Sequence, residues 1–435
     1  MRIQELDGKT VLILGYGKEG KATVKALEAF APNAEITIAD KNADVAEKDD
    51  KHRWQLGEGW LENLEEFDVI IKSPGIPPSP ELAKHAAKTT GAVQIFLESI
   101  RDSGAIVVGV TGSKGKSTTS SLLAAILKKA GKDVHLVGNI GEPSIAHISD
   151  AKRGTVFVHE LSSYMLQDMT MSPHIAIVTS FFPEHLDYHA SAALSTGSTP
   201  LEAYLNAKKN IARFQTEDDA TYFNADSPGA VSIAQEGHGR KIPVDATDCP
   251  VDLKETKLIG EHNRENVALA WKVAEGLGVK KDDAVAAAKE FSPLPHRLQD
   301  LGEAHGLRWI DDAISTTPES AIAALDALGD GVKTVILGGQ DRGNDFAGLA
   351  ERMKESNVST AILFPGSGPR IRAAIEAAGA ATTLVDAASM DDAVRIAREK
   401  TPAGGIVLLS TASPSYGMFK NFEEKGDAFR MAIQN

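Results

Sequence analysis

Short apolar runs alternate with stretches of helical periodicity along this whole chain, and α/β layers with mainly parallel sheets bury such runs on both faces. The runs fall into three groups. The first predicts strands at Thr10–Leu14, Glu35–Ala39 and Phe67–Ile71, and ends near residue 98. The second predicts strands at Ala105–Val108, Thr155–Val158 and His174–Val178, and closes at the proline pair Pro293 and Pro295, which suits a boundary. The third predicts strands at Leu307–Ile310, Thr334–Leu337, Thr360–Leu363 and Ile406–Leu409. This grouping predicts three α/β domains, residues 1–98, 99–298 and 299–435, and 435 residues suffice for each to bury its own core.

Composition narrows the function. A net charge of −14 argues against a nucleic-acid surface. The single cysteine, Cys249, excludes an internal disulfide, and no Cys/His zinc spacing exists. Met1-Arg2-Ile3-Gln4-Glu5 leads straight toward a strand without a charged-then-apolar leader, and no apolar run approaches a membrane span. A cytoplasmic protein without membrane insertion is expected.

The most informative chemistry lies at Val110-Thr111-Gly112-Ser113-Lys114-Gly115-Lys116-Ser117-Thr118, between a strand and a helical pattern running to Leu127. Strand, glycine loop and helix in that order form the setting in which Gly-Lys-Ser binds phosphate. Glycines let backbone N–H groups approach phosphate oxygens, Lys116 supplies a mobile positive charge, and the Ser117 hydroxyl suits magnesium. The usual spacing is shortened, because Val110 stands where the first glycine is expected. A nucleoside triphosphate is therefore the expected ligand.

Other motifs leave alternatives open. Gly15-Tyr16-Gly17-Lys18-Glu19-Gly20 follows a strand, with Asp40 ending the next one. That fits NAD or another nucleotide diphosphate equally well in form. Lys72-Ser73-Pro74-Gly75-Ile76-Pro77 is either a plain turn or a ligand loop, since it lies where ligands bind in open α/β sheets. Glu160, just past a strand, is either a magnesium ligand or a solvated loop residue. His185, within Glu184-His185-Leu186-Asp187, is either a ligand or a hydrogen-bonding residue. Asn139 closes a short glycine loop, and Lys208 lies in a predicted helix where periodicity alone does not separate it from a surface lysine. Asn263 and Asn266 can face a flat heterocycle or cap a helix.

Taken in order, the phosphate loop, Gly138-Asn139-Ile140-Gly141, Glu160-Leu161-Ser162-Ser163-Tyr164, Glu184-His185-Leu186-Asp187, Tyr204 to Lys208, His262-Asn263 with Asn266, and Pro295-His296-Arg297 resemble the Mur ligases of peptidoglycan synthesis over essentially the whole chain. The segment Leu409 to Glu423, with Ser73-Pro74-Gly75-Ile76, is similar to the glutamate-adding members. The resemblance implies a Rossmann-like first domain, a central phosphate-loop ATPase domain and a Rossmann-like third domain. It implies an ATP-dependent amide ligase that activates a carboxylate as an acyl phosphate for attack by an amine.

On that resemblance Gly15, Gly17, Lys18, Glu19, Asp40, Gly75 and Asn139 would hold the UDP substrate, UDP-N-acetylmuramoyl-L-alanine. Gly112 to Thr118 would hold ATP, with Asn263 and Asn266 on adenine and Arg297 and Asp312 near ribose and phosphate. Lys116, Glu160, His185 and Lys208 would be catalytic; Ser117, Glu160, His185 and Lys208 would serve two magnesium ions, with Lys208 carbamylated. Thr316, Arg342, Ser415 and the backbone of Phe422 would hold glutamate. A monomer whose domains close to keep water from the acyl phosphate is expected.

The pattern departs from the family at several positions. Ala313 and Ile314 replace a serine and a lysine, Arg342 stands where lysine is common, Met165 replaces glutamine, and Lys18-Glu19 replace smaller residues. An arginine fork changes geometry as well as reach. These changes leave D- and L-glutamate open, favouring L-glutamate. An NAD-dependent dehydrogenase would leave the phosphate loop idle, a nucleotide-dependent switch would need no Lys208, and a folate polyglutamylating ligase would lack residues 1–98.

Overall fold

The computed structural model describes every residue except Ala46 and His185, and the side chains of all others but Ser195 and Thr196. The chain divides into two compact units, Met1–Asp252 with Arg264–Glu290, and Leu253–Asn263 with Phe291–Asn435.

The first unit holds two parallel sheets. One comprises β1 (Thr10–Leu14), β2 (Glu35–Asp40), β3 (Arg53–Leu56), β4 (Val69–Lys72) and β5 (Thr89–Thr90), in the order β3-β2-β1-β4-β5. The other comprises β6 (Ile106–Thr111), β7 (Asp133–Gly138), β8 (Thr155–Glu160), β9 (Ile175–Val178), β10 (Ala220–Asn224) and β11 (Arg240–Val244), in the order β11-β10-β9-β6-β8-β7. In both, the first strand in sequence lies inside the sheet, so the connections leave it in opposite directions. That opens a crevice at its carboxyl end, beside β4 in the first sheet and beside β8 and β9 in the second.

Both sheets feed one apolar core. Ile13, Val69 and Phe96 belong to the same buried cluster as Ile145, Phe157, Leu161 and Val178. The rings of Phe96 and Phe157 meet edge-on at 5.2 Å. The helix Ala92–Ile100, which carries Phe96, is buried along nearly its whole length and leads directly into β6.

The second unit has one sheet of β12 (Gln299–Ala304), β13 (Leu307–Asp311), β14 (Val332–Gly339), β15 (Thr360–Gly366), β16 (Thr383–Asp386) and β17 (Ile406–Leu409), in the order β12-β13-β17-β14-β15-β16. Only the β12–β13 pairing in it is antiparallel. Alternate side chains enter opposite cores, as the two-residue strand period requires: Ile310, Leu337 and Leu408 on one face, Trp309, Ile336 and Leu409 on the other.

Each strand expected from the sequence is present, and among the described residues there are seven more. Six of these, β3, β5, β7, β11, β12 and β16, are at sheet edges. An edge strand is covered less completely, so its sequence need not be apolar; β7 reads Asp-Val-His-Leu-Val-Gly and β12 Gln-Asp-Leu-Gly-Glu-Ala. The seventh, β10, is internal and wholly buried. Among the described residues no helix is long and apolar enough to cross a membrane.

Candidate functional site

The phosphate loop joins β6 to the helix Lys116–Lys129, and two of its glycines have no substitute. Gly112 has φ +148°, and a Cβ there would lie 2.0 Å from Thr179 Oγ1; at Gly115, φ +86°, it would lie 2.3 Å from Asn266 Oδ1. The loop is clamped from β9's carboxyl end: Ser113 N donates to Ser180 O at 2.8 Å, and Lys114 N to Ser180 Oγ at 2.9 Å. Ser113 is buried, its hydroxyl bonded to Tyr204 at 2.9 Å and to Phe182 O at 2.8 Å. Lys114 is exposed and paired with Glu184 at 2.5 Å. Lys116 folds over the loop and donates to Gly112 O at 2.9 Å and Ser113 O at 2.8 Å. Ser117 and Thr118 stand in the helix's first turn. Asn266 accepts from Thr119 Oγ1 at 3.3 Å.

A second lysine reaches the same carbonyl. The helix Pro200–Arg213 begins with Thr199 as its cap, a reciprocal Thr199–Glu202 pair and Pro200 in its first turn. Its buried stripe includes Tyr204, Ala207, Lys208 and Ile211. Lys208 is therefore on the core face, 1% exposed, with Nζ donating to Gly112 O at 2.8 Å and Thr111 Oγ1 at 3.3 Å. Nζ also lies 4.9 Å over the Tyr204 ring. Burial, then the neighbouring charge of Lys116, pushes its pKa well below the ordinary lysine value, against the opposing pull of Glu184 and Glu160.

Glu160 is the last residue of β8, not a loop residue beyond it, and is fully buried. Its Oε1 accepts from Asn139 Nδ2 at 2.6 Å, while Oε2 is buried without a hydrogen-bond partner among the described residues. A buried carboxylate oxygen without a donor is costly unless a cation meets it, so the residues present fit a divalent ion. Asn139 thus lies on Glu160; its backbone N–H also donates to Glu160 O at 3.0 Å. His185 lies outside the described residues.

At the first sheet's crevice, Gly15 has φ +88°, and a Cβ would press on Ser73 at 3.0 Å. Ser73 Oγ donates to Gly15 O at 3.0 Å, joining the loops after β1 and β4. Asp40 braces the glycine loop, accepting from Tyr16 N at 2.7 Å and from Asn42 N at 2.8 Å. Gly17 caps the helix Lys18–Phe30, whose first turn carries Glu19; burial raises the Glu19 carboxyl to about 7, with Lys18 opposing. Lys18 Nζ donates to Gly141 O at 2.5 Å. Gly75 is exposed in a turn whose carbonyls Pro74 O and Ile76 O accept from Tyr188 OH at 2.8 and 3.1 Å. Below it, Lys72 pairs with Asp168 at 2.9 Å.

In the second unit, three loops at the carboxyl ends of the adjacent strands β13, β17 and β14 meet. Thr411 Oγ1 donates to Ser315 O at 3.1 Å, and Gln340 N donates to Pro414 O at 2.9 Å. These loops carry Thr316, Ser415 and Arg342. Ser415 Oγ is buried without a partner among the described residues. The Arg342 guanidinium is exposed, 5.7 Å over the Tyr416 ring, and Nε donates to Gln340 at 3.2 Å. Phe422 begins the helix Phe422–Gln434 and meets the His296 ring edge-on at 6.1 Å. Asp312 accepts from Ser410 Oγ at 2.8 Å and from Leu298 N at 3.1 Å, and burial raises its carboxyl to about 7. Arg297 keeps a buried Nε without a partner among the described residues. Asn263, in the same unit, donates to Ile259 O at 2.7 Å.

Sequence reasoning missed Lys425. It is 1% exposed and donates to Thr411 Oγ1 at 2.6 Å, and so steadies the hydroxyl that ties two of these loops. Burial lowers its pKa to about 8, against the pull of Asp311 and Asp312. Its signal lay in helical spacing, since Lys425 falls four residues before the buried Phe429. Lys208 carried a similar signal, four residues after Tyr204 and three before Ile211.

A family model described as the Mur ligase middle domain matches residues 110–274, and one described as the Mur ligase glutamate ligase domain matches 296–413. A UDP-N-acetylmuramoyl-L-alanine–L-glutamate ligase of Salinispora tropica is 34% identical, covering 100% of this chain and 99% of its own length. One of Xanthomonas campestris is also 34% identical, covering 99% and 96%. A UDP-N-acetylmuramoylalanine–D-glutamate ligase of Symbiobacterium thermophilum is 33% identical, covering 97% of each. Among solved structures, a UDP-N-acetylmuramate-alanine ligase of Thermotoga maritima superposes with TM-score 0.60 at 16% identity, covering 98% of this chain and 99% of that one. It supports the fold alone.

Proposed function

This chain belongs to the Mur ligase family, and on that premise we propose that it joins L-glutamate to UDP-N-acetylmuramoyl-L-alanine, converting ATP to ADP and phosphate. Members of the family use ATP and magnesium. The observation that carries the reading is the convergence of Lys116 and the buried Lys208 on one phosphate-loop carbonyl, Gly112 O. A phosphate loop needs one lysine; a second, buried and electrostatically inclined to neutrality, needs a further task.

In this reading the alanyl carboxylate displaces ADP from the γ-phosphorus, giving an acyl phosphate. The glutamate amine, after losing a proton, attacks the carbonyl carbon, and phosphate leaves with the C–O bond's electron pair. Lys116 offsets charge on the transferring phosphoryl group. Bound magnesium would draw charge from phosphate oxygens. Glu160 Oε2, Ser117, His185 and Lys208 are assigned as its ligands, for two ions. The Lys208 amine, by adding CO2 and releasing a proton, would become an anionic carbamate.

The loops after β1 and β4, with Gly15, Gly17, Lys18, Glu19, Asp40 and Gly75, are assigned to the UDP substrate together with Asn139, which also steadies Glu160. The assignment of Asn263, Asn266, Arg297 and Asp312 to the nucleoside end of ATP rests on the family resemblance. Thr316, Arg342, Ser415 and Phe422 are assigned to glutamate. Working parts at 1–98, 99–298 and 299–435, a cytoplasmic location and a monomer belong to the same proposal.

L-glutamate is chosen over D-glutamate on Ala313, Ile314 and Arg342, and on the names of the Salinispora and Xanthomonas relatives. The Symbiobacterium relative keeps D-glutamate as the second reading. The deciding experiment measures phosphate release by the pure protein with UDP-N-acetylmuramoyl-L-alanine, ATP, magnesium and either enantiomer. Turnover with L-glutamate, abolished by Lys116→Ala, is expected. Turnover with D-glutamate alone would overturn the enantiomer, and none with either would overturn the function.

A further inference from the structure

Away from the phosphate loop, the edge strand β7 and the turn Ser144–Asp150 bring together His135, His147 and Asp150, whose candidate ligand atoms all lie within 4.8 Å of one another. His135 is held by stacking on Phe157 at 5.2 Å, and its ring centre is 5.2 Å from that of His147. His147 departs from helical geometry, with φ −109° and ψ 16°. Asp150 Oδ2 faces both Nδ1 atoms, 2.8 Å from that of His147 and 3.8 Å from that of His135. Each ring's other nitrogen faces a further carboxylate: His147 Nε2 is 3.0 Å from Glu142 Oε2, and His135 Nε2 is 3.6 Å from Asp133 Oδ1.

A neutral imidazole has one N–H. If Glu142 accepts it from His147 Nε2, then the Nδ1 lone pair points at a carboxylate oxygen, which is repulsive without a cation between them. His135 stands between Asp133 and Asp150 at 3.6 and 3.8 Å, beyond direct hydrogen-bond reach of either carboxylate. Two imidazole nitrogens and one carboxylate oxygen on the inside, with the Glu142 carboxylate hydrogen-bonded behind His147, resemble the outer-shell arrangement that orients histidines on metals.

We propose that His135 Nδ1, His147 Nδ1 and Asp150 Oδ2 bind one divalent transition ion of the zinc type, with Phe157 holding the His135 ring, Glu142 orienting the His147 ring and solvent completing the coordination. Ligand bonds of about 2.0–2.1 Å at a tetrahedral centre set ligand atoms about 3.4 Å apart. The 2.8 Å contact would widen slightly and the 3.8 Å one shorten. Two imidazole nitrogens beside one carboxylate favour zinc-type ions over magnesium or calcium, and the cluster shares no residue with the set assigned around Glu160. Its effect is mechanical. The ion would pin the turn after β7, whose Asn139 bonds Glu160 and whose Gly141 accepts from Lys18.

The test titrates Co²⁺ into the chelator-treated full-length protein and follows the visible absorption of tetrahedral cobalt, then its displacement by Zn²⁺. One intense band per chain is expected, cleared by Zn²⁺ and untouched by Mg²⁺. His147→Gln should lose the band, and Glu142→Gln, at an exposed position, should weaken binding about 10–100-fold without loss of fold. Zn²⁺ should raise the melting temperature of the wild type and not of His147→Gln. An unchanged band in both variants would put the ion elsewhere, for instance at Cys249, and overturn the proposal. So would the absence of any band.

Discussion

His159 supplies a measurable acid sensitivity. It is fully buried on β8, neither ring nitrogen has a partner among the described residues, and Phe96 meets it edge-on at 5.9 Å. Burial lowers its pKa from 6.5 to about 3. Above the ordinary value both folded and unfolded chains carry a neutral ring, so pH has no effect through this residue. As pH falls below 6.5, the unfolded chain gains a proton that the folded chain refuses, and stability drops until the loss levels off near pH 3. Each pH unit in that window costs about 1.4 kcal/mol, so lowering pH from 7 to 5 should remove about 2 kcal/mol through His159 alone. His159→Leu abolishes the titration. Urea unfolding of the first unit at both pH values, for both proteins, isolates the term, because every other titrating group is shared. The wild type should lose about 2 kcal/mol more than the variant. Equal losses, or a ring titrating near 6.5 by NMR in the native protein, would refute the reasoning.

Three further outcomes are expected. Arg342→Ala should raise the KM for glutamate at least tenfold while leaving that for ATP within about twofold, as loss of a charge-assisted contact implies; equal changes in steady-state kinetics would remove Arg342 from the amino-acid pocket. Lys208→Ala should reduce turnover by at least 100-fold and regain much of it with added short-chain carboxylate, and an absent rescue would count against the carbamate. Gly426→Ala should destabilise the second unit by about 1–3 kcal/mol in urea unfolding, since its Cβ would fall 2.0 Å from His296 Nδ1, inside the His296–Asp311 pair. Unchanged stability would mean that the helix Phe422–Gln434 shifts freely.

Legibility followed burial. Central strands such as β1, β6 and β17 read clearly because both faces are covered and their residues are mostly apolar. The edge strands were hidden because they carry Asp133, His135 or Arg240 toward incompletely covered faces. The glycine loop between β6 and its helix was readable because Gly112, Gly115 and Lys116 adjoin in sequence. The partners that hold the loop were not: Thr179, Ser180, Tyr204 and Lys208 reach it across 65 to 97 residues of chain. Local patterns carry no information about such partners. Helical spacing against buried neighbours places Lys208 and Lys425 on core faces; the family resemblance points to Lys208 and not to Lys425. The strand end at Glu160 extended beyond the expected Val158 because β8 pairs with both neighbours through that residue.

The shared core of the first two sheets has an evolutionary and engineering consequence. Phe96 wedges against Phe157 and His159, Tyr188 grips Pro74 and Ile76, and Lys72 salts Asp168. A graft that exchanged residues 1–98 for a relative's, to redirect the enzyme toward another nucleotide sugar, would tear this joint unless its counterparts travelled along. Recombination should therefore preserve both sides of the seam together, and a chimera cut at residue 98 should precipitate where one also carrying matched residues at 157, 159, 168 and 188 stays folded.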